Sequence, residues 1–361
     1  MSKTLILHIG HYKTGTTALQ VFFSGHRRFL ANQGIEYPGI WFHNAKHSAF
    51  AFSILAAAGV TGRLMHDFTD PTPPRQMWGD LFRHIDEKGH KTTLISSEEF
   101  MRLGQFPAAA DILARVLADR PADLNLRAVV YLRDPAAHLR SWYNQLVKMS
   151  FPVADLGTAL TGDIEDIHFD YRRALAPWID ILGAENVMIR PYRNERDDPA
   201  ALHRDFFNTL GIKLPENLVR VETDPNPRLD DRVIELVRLM QNMDFPRATI
   251  NAVRSQALSY LDTQDGKAPG GDTTLDHIRE QSRAGLAWLG TLPGSSVPVA
   301  EFENHLPQAD SPENINRSLL LGFVFAELIQ LRQRVNNANL SDLAARIDAL
   351  EARMPPPEKQ S

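Results

Sequence analysis

Short apolar runs alternate with longer amphipathic stretches through the first two-thirds of the chain. Residues 4–9 (TLILHI) form a compact apolar run closed by Gly10, the pattern of a buried strand. Over residues 16–32, Ala18, Leu19, Phe22, Phe23 and Leu30 recur at helical spacing. Further strands are expected at 91–96, 126–132 and 186–192. Helices are expected at 47–58, 77–87, 108–118, 135–149, 169–182 and 199–210. Pro135 suits the first turn of its helix and Gly211 suits a C-terminal cap. Strands alternating with helices specify βαβ units and a mostly parallel sheet flanked by helices. The loops after the strands then share one sheet edge.

The pattern changes after residue 222. A helix is expected at 229–243, a Gly/Asp/Thr-rich loop at 264–274, and proline breaks at 293–298 and 307–312. A helix at 319–335 is expected to stop at Asn336-Asn337-Ala338-Asn339. Beyond it Leu343, Ile347, Leu350 and Met354 repeat at heptad-like spacing over less than two heptads. The expected organisation is a core over 1–222, a helical and loop-rich part over 223–335 that completes or covers a cleft, and a C-terminal helix with a disordered tail over 336–361. The C-terminal helices could dock on the domain or join copies into a homo-oligomer.

Composition narrows the function. The 361 residues are 43% apolar and 23% charged, enough for a packed core. Lys and Arg number 39 against 44 Asp and Glu, a net charge of −5 that argues against a nucleic-acid binder. There is no cysteine, which excludes disulfides, thiolate metal sites and cysteine nucleophiles. No apolar run approaches the ~20 residues of a membrane span, and the N-terminus lacks the apolar length of a signal peptide. These features give a cytoplasmic expectation.

The chemistry concentrates after the strands. Gly10-His11-Tyr12-Lys13-Thr14-Gly15-Thr16-Thr17 joins the first strand to the first helix in the frame G-x-x-x-x-G-T-T. The nucleotide-binding frame G-x-x-x-x-G-K-[ST] differs at one slot, where Thr16 replaces the lysine. Glycines allow the chain to wrap closely, and a helix N-terminus favours an anion. A phosphate or sulfate-like group is therefore expected, without the lysine that accompanies Mg²⁺ at β/γ-phosphates. Arg133-Asp134-Pro135 follows the third expected strand, with Ser141 eight residues after Arg133 on the next helix. A guanidinium fork and a hydroxyl there suit a second phosphate. Two anion sites on adjacent strand ends fit a nucleotide with phosphates at both ends of its ribose, such as 3′-phosphoadenosine 5′-phosphosulfate (PAPS).

The Lys13-Thr14-Gly15-Thr16-Thr17 run resembles the 5′-phosphosulfate loop of sulfotransferases, and Arg133-Asp134-Pro135…Ser141 is similar to their 3′-phosphate motif. The flavour is that of bacterial carbohydrate sulfotransferases, and the resemblance spans roughly residues 4–212. It implies an α/β, P-loop NTPase-like three-layer fold with a mainly helical C-terminal region. It also implies a PAPS-dependent enzyme that releases 3′,5′-adenosine bisphosphate (PAP), acts on a hydroxyl or amine of a saccharide or glycolipid, and needs no metal. By the same resemblance Lys13 neutralises charge on the leaving nucleotide, and the backbone of Gly15, Thr16 and Thr17 holds the 5′-phosphate. His11, Tyr12 and Thr14 complete the loop. Two departures stand out. The chain lacks an R-K-G-x-x-G-D-W-K stretch, and it reads Asn226-Pro227-Arg228 where relatives carry Asn-x-Ser. The C-terminal third therefore carries no transferable residues.

A general base is expected at Glu98, which with Glu99 follows the second expected strand; glycan sulfotransferases use a glutamate in a comparable place. His47 and His11 are weaker candidates for contact with sulfate or substrate, and Trp41 and Phe42 could stack on a sugar or form an apolar lid. The rival readings are a P-loop kinase or NTPase, and an inactive sulfotransferase-like binding module.

Overall fold

The computed structural model describes residues 2–154, 156–193, 198–215, 218–219, 229–230, 233–262, 275–307 and 312–351. It divides into two compact units. One comprises Met1–Arg228 with Thr274–Ala309, the other Leu229–Thr273 with Asp310–Ser361. Residues 274–309 group with the first of these units.

The first unit is built on five parallel strands in the order β2-β3-β1-β4-β5. In chain order come β1 (Lys3–His8), α1 (Thr16–Gly25), α2 (Arg27–Asn32), β2 (Ile35–Glu36), α3 (Ser48–Ala57), α4 (Pro74–Lys88), β3 (Thr92–Ser96), α5 (Pro107–Ala118) and β4 (Leu124–Leu132). Next are α6 (Pro135–Lys148), α7 (Leu156–Ala159), α8 (Tyr171–Leu182), β5 (Val187–Pro191) and α9 (Ala201–Thr209). The sequence pattern pointed to four strands. The fifth, β2, is two residues long and pairs only Ile35 with Thr92 and Glu36 with Thr93, too short to leave a periodic signal.

Strand alternation divides the core between the two faces of the sheet. Leu5, Leu7, Ile95, Ala128, Val130 and Ile189 pack against α3, α4, α5 and α8, where Phe50, Trp78 and Trp178 are fully buried. Ile6, Leu94, Val129 and Tyr131 face α1 and α9 through Leu19, Phe23, Phe206 and Phe207. Three layers result. β1 lies at the centre, in register with β3 (His8 opposite Ser96) and β4 (His8 opposite Val129), so the loops after all three strands emerge side by side.

The second unit contains α10 (Ile234–Asn242) and α11 (Arg247–Leu261). The chain then returns to the first unit for α12 (Asp276–Leu289) and α13 (Val299–Glu303), and ends in the second with α14 (Pro312–Glu351). Val233, Ala257, Leu261 and Phe323 form the second unit's small core. The α14 helix runs without interruption through residues 336–339, where the sequence reading expected a stop. Asparagine has low helix propensity, but a helix already nucleated over many turns absorbs a few such residues. The loop expected at 264–274 and the Asn226–Arg228 stretch lie outside the described residues.

Candidate functional site

The loop between β1 and α1 is shaped by its two glycines. Gly10 has φ +73°, and a Cβ there would lie 2.8 Å from the Cα of Glu98. Gly15 has φ +76°, and a Cβ there would lie 2.4 Å from a methyl of Leu202 and 3.0 Å from the Tyr192 ring. Gly10 thus excludes a side chain twice over, by its dihedral and by the Glu98 backbone, while Gly15 excludes one by its dihedral. Lys13 between them also adopts a left-handed conformation, at φ 63°. The Thr14 hydroxyl closes the turn by donating to the His11 carbonyl at 2.6 Å. Thr16 and Thr17 open α1, so their amides have no acceptor inside the helix and can serve an anion.

His11 anchors the loop from below. Its Nδ1 accepts the Tyr12 amide at 2.8 Å, and its Nε2 pairs with the Ile167 carbonyl at 3.0 Å. Burial lowers its pKa to about 4, so the ring is neutral at pH 7. It packs against His138 of α6 and His168, with ring centroids 4.3 and 5.1 Å away. His138 Nε2 and His168 Nδ1 are 3.0 Å apart, and burial followed by the neighbouring imidazoles lowers both pKa values well below the usual range. One nitrogen from each of the three lies within 4.8 Å of one from each of the others, close enough to recruit a metal ion. The hydrogen bonds argue otherwise. With Nδ1 accepting an amide and Nε2 donating to a carbonyl, His11 has no free lone pair. Tyr12 is buried against the Trp142 ring at 4.6 Å, and its hydroxyl pKa is raised by burial first.

The second expected anion site lies beside the first. Arg133 follows β4 directly, and its guanidinium sits over the Tyr192 ring, 5.9 Å from the centroid. It makes no ion pair with a described residue. Asp134 instead caps α6, accepting the Ala137 amide at 2.9 Å. The Tyr171 hydroxyl donates to the Arg133 carbonyl and fixes this turn. Ser141 is buried two turns into α6. One further turn along, Gln145 accepts a hydrogen bond from Lys13 Nζ at 3.1 Å, which links the loop to the Arg133–Ser141 helix. Nothing in the spacing of the motifs singles out Gln145.

Glu98 and Glu99 emerge beyond β3. Glu98 is bonded by Gln20 at 2.7 Å and by Lys46 at 2.8 Å. Glu99 is sealed by Lys46, Ser48 and Ser97, its side chain 1% exposed against 14% for Glu98. Of the pair, Glu98 is the more accessible and touches the loop at Gly10. Burial works to raise its pKa, but the Lys46 charge and the bonds from Lys46 and Gln20 outweigh it and hold the carboxyl below its ordinary value. Lys46 was not a candidate from sequence. Its position depends on a loop in which Trp41, Asn44 and Ala45 all have positive φ.

His47 is fully buried. Its Nδ1 accepts the Ser96 amide at 3.3 Å and its Nε2 pairs with the Pro38 carbonyl at 3.0 Å, while burial lowers its pKa to about 4. In this arrangement neither nitrogen can meet a substrate, and the ring ties the 37–47 loop to the end of β3. Phe42 presents a face to Arg27 at 4.5 Å, which occupies that face against a sugar ring.

No protein-family model matches this chain, and no curated protein matches it. Among solved structures it is similar to a sulfotransferase from Alicyclobacillus acidocaldarius, at 17% identity and a TM-score of 0.40, over 70% of this chain and 100% of that one. It is also similar to the sulfotransferase domain of the Synechococcus PCC 7002 olefin synthase, at 14% identity and a TM-score of 0.35, over 72% of this chain and 94% of the domain. Among the described residues no helix is long and apolar enough to cross a membrane.

Proposed function

We propose that the protein is a sulfotransferase that moves a sulfuryl group from PAPS to a hydroxyl or amine, releasing PAP. The observation that carries this reading is the pairing of two anion-binding elements on adjacent strand ends. The Gly10–Thr17 loop follows β1, Arg133 and Ser141 follow β4, and Lys13 is bonded to Gln145 between them. A nucleotide phosphorylated at both 5′ and 3′ positions suits such a pair. The acceptor class, a saccharide or glycolipid, rests on the resemblance of the motifs to carbohydrate sulfotransferases.

In the reaction an acceptor oxygen or nitrogen bonds to sulfur as the bond from sulfur to the bridging oxygen breaks. Lys13 and the amides of Gly15, Thr16 and Thr17 stabilise the negative charge that develops on the departing bisphosphate. The acceptor proton passes to the Glu98 carboxylate, which is ionised at neutral pH. Its lowered proton affinity means that transfer accompanies bond formation rather than preceding it.

Calorimetric titration with PAP, and separately with ADP and Mg²⁺, tests the donor assignment. Binding of PAP alone, lost in Arg133→Ala, is the expected result. Preference for ADP with Mg²⁺ would establish a kinase or NTPase instead. PAP binding with no turnover on any acceptor would leave a binding module.

A further inference from the structure

We infer that α14 joins two copies of this chain as a parallel, in-register coiled coil over residues 329–350. The seam appears only once the helix is known to continue through 336–339. Ile329, Gln333, Asn336, Leu340, Leu343, Ile347 and Leu350 follow one another at alternating steps of four and three, an unbroken heptad register with Gln333, Leu340 and Ile347 at a and the others at d. This period of 3.5 is that of a left-handed supercoil. Along the seam Ile329 is 58% exposed, Leu340 65%, Leu343 53%, Ile347 51% and Leu350 62%.

Three features select a second copy as the occupant. Half-exposed Leu and Ile side chains offer on the order of 100 Å² each. Five from each copy give on the order of 1,000 Å², the threshold of a stable interface. Gln333 is polar at an a position, and such a residue is satisfied by its own symmetry mate in a parallel pair, which fixes register. The flanking charges are self-complementary. Arg332 and Arg346 occupy g, Asp342 and Asp348 lie away from the seam at c and b, and the acid at an e position is Glu351. In a parallel alignment the g position of Arg346 faces the e position of Glu351 on the other copy, twice by symmetry. Among the described residues of one chain, Arg346 has a 3.8 Å contact with exposed Asp342 and no closer ion pair.

A second exposed row, Leu328, Leu331 and Val335, lies away from this seam at c and f positions and supplies the control. Sedimentation equilibrium of the full chain at micromolar concentration should give a dimer. Leu343→Glu with Ile347→Glu should make it monomeric with an unchanged circular dichroism spectrum, whereas Leu328→Glu with Leu331→Glu should leave it dimeric. Because the chain has no cysteine, Leu350→Cys should form a single inter-chain disulfide on mild oxidation, as a parallel alignment brings the two positions together. A monomeric wild type, a dimer lost only in the Leu328/Leu331 variant, or a Leu350→Cys dimer that does not cross-link would each overturn the inference. None of these readouts depends on nucleotide binding or turnover.

Discussion

At the end of β3, Lys46 is held between Glu98 and Glu99 at 2.8 and 2.5 Å, and the charges cancel within the protein. At the neighbouring end of β4 the Arg133 guanidinium makes no ion pair with a described residue, and the Lys13 ammonium of the loop after β1 is bonded to an amide. Lys13 reaches the Gln145 amide and Arg133 the face of Tyr192, above three buried, neutral imidazoles. Two adjacent stretches of one sheet edge thus treat positive charge in opposite ways. Where the protein supplies its own counter-charge, it is building structure around a carboxylate. Where Arg133 stands without an ion pair to a described residue, its field is open to an anion, which is what the proposed function asks of it.

Acid should break this contrast most completely, by charging His11 of the neutral floor together with the buried rings of His8 and His47. His8, His11 and His47 each have a folded-state pKa lowered by burial to about 4, against an ordinary value of 6.5. Between those values the unfolded chain binds more protons, so stability is full above pH 6.5 and falls as pH drops toward 4. Each group then costs up to about 3 kcal/mol, and the three together approach the stability of a typical domain, about 5–15 kcal/mol. Urea titrations followed by tryptophan fluorescence should show the midpoint falling steeply from pH 7 to pH 5. A flat midpoint across that range would mean that these rings are hydrated or ionised in the folded protein.

Lys13→Ala removes the cation nearest the loop while leaving its glycines and the His11 anchor in place. Loss of a group that stabilises developing charge costs about 10²–10³-fold in rate. Turnover measured with PAPS should fall by that factor with the thermal transition unchanged. A change under tenfold would place the charge-stabilising role elsewhere on the edge.

How far the sequence reveals this contrast depends on the distance over which each feature is encoded. The loop glycines, the strand before them and the helix after them are neighbours in the chain, so spacing alone locates them. Arg133 and Ser141 are likewise readable from one turn and one helix. The cancelled charge at β3 is not. Lys46 reaches Glu98 only because a loop with left-handed Trp41, Asn44 and Ala45 folds back over the strand end, and such dihedrals leave no periodic mark. The floor is equally hidden, since His11, His138 and His168 are spread over more than 150 residues and meet only through the packing of α6 and the turn at Asp166–His168. His47 shows the opposite error. A histidine beside a candidate base looks chemical in sequence, yet both its nitrogens serve the backbone.

Arg133→Ala tests the open half of the contrast more gently. A charge-assisted hydrogen bond contributes about 1.5–3 kcal/mol, so KM for PAPS should rise roughly 10- to 100-fold while KM for the acceptor stays within a factor of two. Asp134 still caps α6 in this variant, so the fold is retained. Equal increases for donor and acceptor would remove Arg133 from the 3′-phosphate assignment.

The smallest effect comes from opening the closed half. Lys46→Met keeps the length of the side chain and removes its charge. Burial then acts on Glu98 without the ammonium that now outweighs it, so the carboxyl pKa rises. If Glu98 takes the acceptor proton, the acid limb of the kcat profile should move upward in pH. Activity near pH 8 should fall by less than tenfold, because Gln20 still bonds the carboxylate. The sign is the informative part. A structural role for the pair predicts lower stability at every pH with the limb unmoved, whereas a base beside the loop predicts a displaced limb even after the activity is normalised to folded protein. An unmoved limb would make the Lys46 pairs a brace for the 37–47 loop and send the search for the base to other residues along the strand ends.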